Sequence, residues 1–321
     1  MTSSLNYNNY PNQEVFMSLL ETSICGIHMK NPTVLAAGVL GVSKEYCHEL
    51  VKNGVGMITI KSISRLPQTG HHSPCVISYG PGLINAVGYP NPGIEEALTE
   101  FSDLSDISVP VCANIIGKNI DDFDYMSKHF LPYDFAAVEL ALSCPHTPGY
   151  GMLAGQHTPE ATYETVSVVR KNTDLPIIVK LTPNVGDIVS LAKAAEAAGA
   201  DAISACNSVG PGMVINIDSS EPVLDFSYGG LSGPAIKPIA IRCVYEIYEQ
   251  VKLPIIGIGG ITTGRDAIEM MMAGATAVGI GSAVYYRGVD VFQKINTEIA
   301  EWLVENNYSS VKDIIGKAHG Q

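Results

Sequence analysis

Residues 177–205 read IIVKLTPNVGDIVSLAKAAEAAGADAISA. An apolar, β-branched run, Ile177–Leu181, leads into Pro183-Asn184, and Asp187 then stands where a helix would open. Ile188, Leu191, Ala192 and Ala195 recur at helical spacing, Gly199 marks the stop, and Ala202–Ala205 begins a second apolar run. This is a strand–helix–strand unit. Its exit, Ala198-Gly199-Ala200-Asp201-Ala202, is echoed by Ala273-Gly274-Ala275-Thr276-Ala277, so the unit repeats.

Worked outward, the same alternation runs almost from end to end. Strands are expected at Thr33–Ala37, Gly56–Ile60, Val109–Asn114, Ala136–Leu142, Ile177–Leu181, Ala202–Ala205, Ile255–Ile258 and Ala277–Ile280, all short and apolar with room for a helix between. Eight such units close into an α/β (β/α)8 TIM barrel. Two segments dense in Gly, Pro and Ser, Ser62–Gly93 and Asn207–Gly230, exceed the minimal unit. Both follow strands, so they are expected on the C-terminal face of the barrel, as loops walling or covering the site. Residues 1–20 read as a polar N-terminal extension and 21–321 as one barrel domain, since no linker or composition shift divides them.

Composition narrows the function. With 46% hydrophobic and 16% charged residues, the chain has ample material for a core. A net charge of -13 disfavours nucleic acid and anionic membranes as partners, and no run of about 18 apolar residues could span a bilayer. A soluble, cytoplasmic protein is expected. Seven cysteines without a CxxC pair read as reduced thiols, with no metal or iron-sulfur site in this chain.

Chemistry concentrates at strand ends. Gly257-Ile258-Gly259-Gly260 and Gly279-Ile280-Gly281-Ser282 close the last two strands, where backbone N–H groups of barrels frequently meet a phosphate; Gly229-Gly230-Leu231-Ser232-Gly233-Pro234 could add donors. Tight turns would explain either loop alone. Lys61 and Lys180, two of few lysines, fall at strand ends, either snorkelling at an edge or placing cations in the mouth for an anionic substrate or reduced cofactor. Asn85, Asn114, Asn184 and Asn207 could converge as an amide cage for a planar polar ring. Cys144 ends the fourth strand before a Gly/Pro loop through Gly155, where a thiol can act as general base and a loop can close over it; His146 and His157 stand nearby.

These segments together resemble the class 1 dihydroorotate dehydrogenases. The motifs are Ala37-Gly38, Ile60-Lys61-Ser62, Asn85-Ala86-Val87-Gly88 with Asn91-Pro92-Gly93, Glu139 to Pro145, Lys180-Leu181-Thr182-Pro183-Asn184, Gly229 to Ala235, Gly259-Gly260 and Gly281-Ser282, spanning about Ile24 to beyond Tyr286. The resemblance implies an FMN-dependent barrel of pyrimidine (UMP) biosynthesis that oxidises dihydroorotate to orotate. Cys144 would remove the C5 proton while the C6 hydride passes to FMN, with Lys61 touching both flavin and substrate. It implies Ala37, Gly38, Lys61, Ser62, Asn114, Lys180, Gly233, Gly259, Gly260, Gly281 and Ser282 as the cofactor set. Lys61, Asn85, Ala86, Val87, Gly88, Tyr89, Asn207 and Ser208 would form the substrate set, and a homodimer, or a pairing with an FAD and iron-sulfur electron-transfer subunit, is implied with them.

Two positions depart from the family pattern. Ala141 and His146 stand where the family usually keeps asparagines, and Ser143 to His146 with Gly151-Met152 and Gly155-Gln156 is similar to the flavin domain of dihydropyrimidine dehydrogenase. The substrate therefore stays open between dihydroorotate and a dihydropyrimidine of the uracil or thymine type. Two readings from other classes remain: a flavin-free lyase or aldolase with Lys180 forming a Schiff base, and a non-catalytic interaction subunit.

Overall fold

The computed structural model describes residues 18–40, 43–130, 133–145 and 147–320. Most of the expected N-terminal extension, residues 1–17, lies outside them, as does His146. The chain enters through a hairpin, β1 (Thr22–Ile24) and β2 (Ile27–Met29), and continues into β3 (Thr33–Leu35), α1 (Lys44–Lys52) and β4 (Met57–Thr59). Then come β5 (Val76–Tyr79), β6 (Gly82–Asn85), α2 (Ile94–Glu100), β7 (Val111–Ile115), α3 (Ile120–Phe130), β8 (Ala137–Ala141) and α4 (Pro159–Arg170). The middle holds β9 (Ile177–Leu181), α5 (Ile188–Ala197), β10 (Ala202–Ala205), β11 (Val209–Gly212), β12 (Ile215–Asn216), β13 (Glu221–Pro222) and β14 (Gly229–Ser232). The chain finishes through α6 (Lys237–Gln250), β15 (Ile255–Ile258), α7 (Gly264–Met272), β16 (Ala277–Ile280), α8 (Ala283–Arg287) and α9 (Val291–Glu305).

The eight expected barrel strands all form and close in the order β3-β4-β7-β8-β9-β10-β15-β16, parallel throughout, with Val278 opposite Thr33 at the closing pair. Parallel strands are joined by crossover helices, and the helix after β9 begins where the sequence signals it. The Asp187 side chain accepts from Ser190 N at 3.1 Å to open α5, and Thr158 accepts from Ala161 N at 3.2 Å before Pro159 opens α4.

The strands are uniformly apolar because both faces are covered. Inside the barrel one residue from each strand, Val34, Met57, Cys112, Ala137, Ile178, Ala202, Ile256 and Ala277, packs into a single cluster, and Ile24 and Met29 of the first hairpin join it as a plug. The alternate residues face outward into a larger shell shared with the helices, where Leu35, Ile58, Ala113, Val138, Val179 and Ile203 meet Phe123, Val166, Leu191 and Val244. The apolar plug leaves the opposite end of the barrel as the place for polar chemistry.

Two expectations are corrected. The inserts after β4 and β10 are not plain loops: β5 and β6 of the first join β11 and β14 of the second in an antiparallel sheet ordered β11-β14-β6-β5, with Leu231 opposite Ile84. Its strands show no apolar alternation, Val76–Tyr79 being largely exposed, and their glycine-rich surroundings read as coil. Lys180 lies within β9 rather than at its end. Among the described residues no helix is long and apolar enough to cross a membrane.

Phe123 is fully buried between α3 and the barrel. Phe123→Ala is expected to lower unfolding free energy by about 3–5 kcal/mol in a denaturant titration.

Candidate active site

Above the apolar plug the barrel interior turns polar. Asn114 on β7 and Glu139 on β8 stand opposite each other in register, and Asn114 Nδ2 donates to Glu139 Oε1 at 2.6 Å. Lys180 Nζ on β9 lies 3.7 Å from the same oxygen. All three side chains are buried. Three adjacent strands thus hold one buried carboxylate with an ammonium and an amide. Asn114 Oδ1 is buried with no hydrogen-bond partner, an acceptor left open beside this network.

A cavity of about 490 Å³ opens above them. Its wall takes in Ala37, Gly38, Lys61, Ser62, Asn85, Val87, Gly88, Tyr89, Cys144, Lys180, Asn207, Ser208, Gly233, Gly259, Gly260, Gly281 and Ser282, so nearly all the expected site residues converge. That volume suits a ligand of cofactor size. Three expected residues lie off the wall. Asn114 sits beneath it, and Ala86 packs its methyl group with Ile84 and Leu224 under the antiparallel sheet. Asn184 braces the second insert, donating to Ser208 O at 3.0 Å and accepting from Gly210 N at 2.8 Å.

Cys144 is buried at the end of β8, packed with Ile116, Ala141 and Tyr150, and Tyr89 leans on the same cluster. The segment after it is pinned rather than loose. Met152 N donates to Cys144 O at 2.9 Å, a 3-10 turn forms over Gly151–Ala154, and Gln156 Nε2 donates to Gly117 O at 2.7 Å. Gly151 has φ +54°, and any Cβ there would run into the Cys144 backbone, so glycine is required for this turn to sit against the cysteine. Tyr150 and Glu139 carry no role in the sequence reading. The one signal for Glu139 was a lone acid inside an apolar strand.

Lys61 has no carboxylate within ion-pair distance among the described residues, and partial burial pulls its ammonium pKa down, with Cys75 acting in the opposite direction. Across the cavity Asn207 Nδ2 donates to Ser143 Oγ at 2.8 Å while its Oδ1 accepts from Ser208 N at 2.7 Å, tying the end of β10 to the end of β8. Asn85 Nδ2 donates to Gly230 O at 3.3 Å. The glycine at 260 has a packing reason, since a side chain there would meet the backbone of Lys237 at the start of α6.

A family model described as dihydroorotate dehydrogenase matches residues 19–303. The chain is 43% identical over 302 residues to the dihydroorotate dehydrogenase B (NAD(+)), catalytic subunit, of Methanothermobacter thermautotrophicus, covering 94% of this chain and 99% of that protein. It is 44% identical over 305 residues to the protein of that name from Methanocaldococcus jannaschii, covering 94% and 98%. With the one from Pyrococcus abyssi it shares 46% over 300 residues, 94% and 99% of the two chains.

The buried trio makes a stability prediction. Glu139→Ala would leave the Lys180 ammonium buried without its counter-charge, and is expected to cost about 3–5 kcal/mol in the flavin-free protein, read by denaturant unfolding.

Proposed function

This chain belongs to the dihydroorotate dehydrogenase family, and we propose that it oxidises dihydroorotate to orotate with FMN as its cofactor and Cys144 as its base. Membership of that oxidoreductase family removes the lyase and interaction-subunit readings. The observation that carries the proposal is the opening of Cys144, Lys61 and the glycine loops after β15 and β16 onto one cavity.

The residues present fit a flavin. A Cβ at Gly259 would run into Ala240 and one at Gly260 into Lys237, so both positions must stay bare, which leaves the backbone of this cavity loop open to a phosphate. Lys61, Lys180, Ala37, Gly38 and Ser62 would hold the ring, and Gly233, Gly259, Gly260, Gly281 and Ser282 the phosphate. FMN, when bound, supplies the two-electron acceptor for the hydride leaving C6.

The protein's own work is proton handling and orientation. Cys144, as thiolate, takes the C5 proton, and the packed segment 147–156 keeps water from competing for it. Asn85, Asn207 and Ser208 offer donors and acceptors to the pyrimidine edge, with Val87, Gly88 and Tyr89 beside them; Ala86 supports that loop from the core. Lys61, a half-buried cation without an anionic partner among the described residues, favours a substrate carrying a carboxylate over a neutral dihydropyrimidine.

The relatives are named as catalytic subunits using NAD(+). We extend that here: reducing equivalents leave through a partner subunit carrying FAD and an iron-sulfur cluster, with this chain a cytoplasmic homodimer at the centre of the assembly.

Purified protein should be yellow and should bleach anaerobically on addition of dihydroorotate, and much more slowly with dihydrouracil. Protein that takes up no FMN, or bleaches equally with both, would refute the cofactor or the substrate respectively. Cys144→Ser should stay yellow and be reduced at least about 100-fold more slowly in stopped-flow absorbance; wild-type rates in that variant would remove Cys144 from the role.

A further inference from the structure

The three glycine loops on the cavity wall are tied together from outside the cavity by a chain of charged side chains. Asp266, in the first turn of α7, stands at its centre. Its Oδ2 accepts from Thr262 N at 3.0 Å, Thr262 Oγ1 at 2.9 Å, Thr263 N at 2.8 Å and Thr263 Oγ1 at 2.9 Å, so the stretch after Gly259-Gly260 is anchored on one oxygen. Its Oδ1 accepts from Lys237 Nζ at 2.8 Å, and Lys237 opens α6 shortly after the Gly233 loop. The third loop joins at the same place. Arg287, which ends α8 after Gly281-Ser282, donates through Nη1 to Thr262 O at 2.7 Å and through Nη2 to Glu298 Oε1 at 2.6 Å. Lys237, Thr262, Asp266 and Arg287 all lie off the cavity wall.

A wall of bare glycines needs such a clasp. Glycine backbone is the least restricted of any residue, so N–H groups carried on it converge on a ligand only when neighbours fix them. Among the described residues the cations on the wall are Lys61 and Lys180, which come from just past β4 and from within β9 rather than from these loops. An anion at the glycine loops therefore meets backbone and hydroxyl donors, and its recognition depends on their spacing. The Lys237 and Asp266 side chains are 28% and 15% exposed, shielded enough for their pairing to count for more than a surface ion pair. Burial acts to raise the Asp266 carboxyl, but the Lys237 ammonium and the threonine donors outweigh it and hold the group at about 2, so it stays ionised.

We propose that Asp266 is a positioning residue for phosphate recognition: paired with Lys237 and bonded to Thr262, it sets the spacing of the loops that carry the backbone donors. This rests on the reading that those loops hold the FMN phosphate. Gly260 packed against the Lys237 backbone gives the first two loops one point of contact, and the ion pair gives them a second, so neither loop slides past the other. Arg287 at Thr262 O holds the third loop to the same frame. A binding constellation has to be kept within about 0.5 Å of its productive geometry, and without the link the glycines drift on that scale. Ligand binding would then carry the cost of ordering the loops, which the intact clasp has already met.

Asp266→Asn keeps the size of the side chain and an oxygen for the threonine donors, and removes the charge that holds Lys237. Lys237→Met keeps the backbone and Cβ beneath Gly260 and breaks the link from the other side. The test is a pair of dissociation constants, for FMN and for riboflavin, which shares the ring and ribityl chain and lacks the phosphate. Both are read by flavin fluorescence quenching on the full-length chain after flavin removal. Wild-type protein should bind FMN more tightly than riboflavin. In each variant the FMN constant should rise by about tenfold or more while the riboflavin constant stays put, the size expected when a charge-assisted hydrogen bond no longer holds the donors in place. A merely structural role would weaken both flavins alike. A wild-type ratio of the two constants in either variant, whether or not binding weakens overall, overturns the proposal. Wild-type protein with no preference for FMN overturns the phosphate reading itself, and the role of Asp266 falls with it.

Discussion

Burying Glu139 is the constraint on which the rest of the site depends. An ionised carboxylate inside a barrel is unfavourable by several kcal/mol unless it is paired and hydrogen-bonded. Here the pairing is supplied by the neighbouring strands on either side, Asn114 from β7 and Lys180 from β9. Because strand residues alternate in direction, a slip of one residue in either strand would turn its partner out toward the helices and strand the charge. The same carboxylate therefore selects the register of three strands and aims a lysine into the cavity. Below it the interior is filled by one apolar residue per strand and closed by the β1–β2 hairpin. The barrel has a stable end and a reactive end, and Glu139 marks the boundary.

A second constraint works across the mouth. The two long inserts would each be unstable alone, since a lone hairpin is marginal in water. Joined as β11-β14-β6-β5 they form a sheet with its own small apolar patch of Ile84, Ala86 and Leu224. That sheet gives the loop from Val87 to Asn91 a rigid base, and Asn91 fixes its last turn by four hydrogen bonds. A side chain on this loop consequently reaches Cys144 with a defined approach, although the two are far apart in sequence.

The barrel was legible because strands buried on both faces leave an uninterrupted apolar signature, and their spacing leaves room for a helix each time. All eight form within one or two residues of the expected positions. The antiparallel sheet was not legible: its central partners, Ile84 and Leu231, lie far apart in sequence, and no local pattern announces pairing over such a distance. Within the site, Cys144 and the two lysines stood out by position at strand ends. Asn114 was expected to touch the ligand space from the same kind of position, yet it lies one layer deeper, because strand periodicity tells inside from outside and not depth. Glu139, Tyr150 and Asn91 act through partners brought by other strands, and such roles have no signature in the residues alone.

Charge placement links the two constraints to substrate choice. The chain carries a net charge of -13, which lowers the local concentration of any small anion at the surface. Within the cavity the balance reverses. Lys180 is matched by Glu139, leaving that part of the wall near neutral, whereas Lys61 is partly desolvated and, among the described residues, has no carboxylate within ion-pair distance. A half-buried cation without a carboxylate beside it is an unfavourable term that an entering anion would relieve. A neutral ring would enter without relieving it. On the proposed reading, what the protein leaves unpaired at Lys61 would favour a carboxylate-bearing dihydropyrimidine.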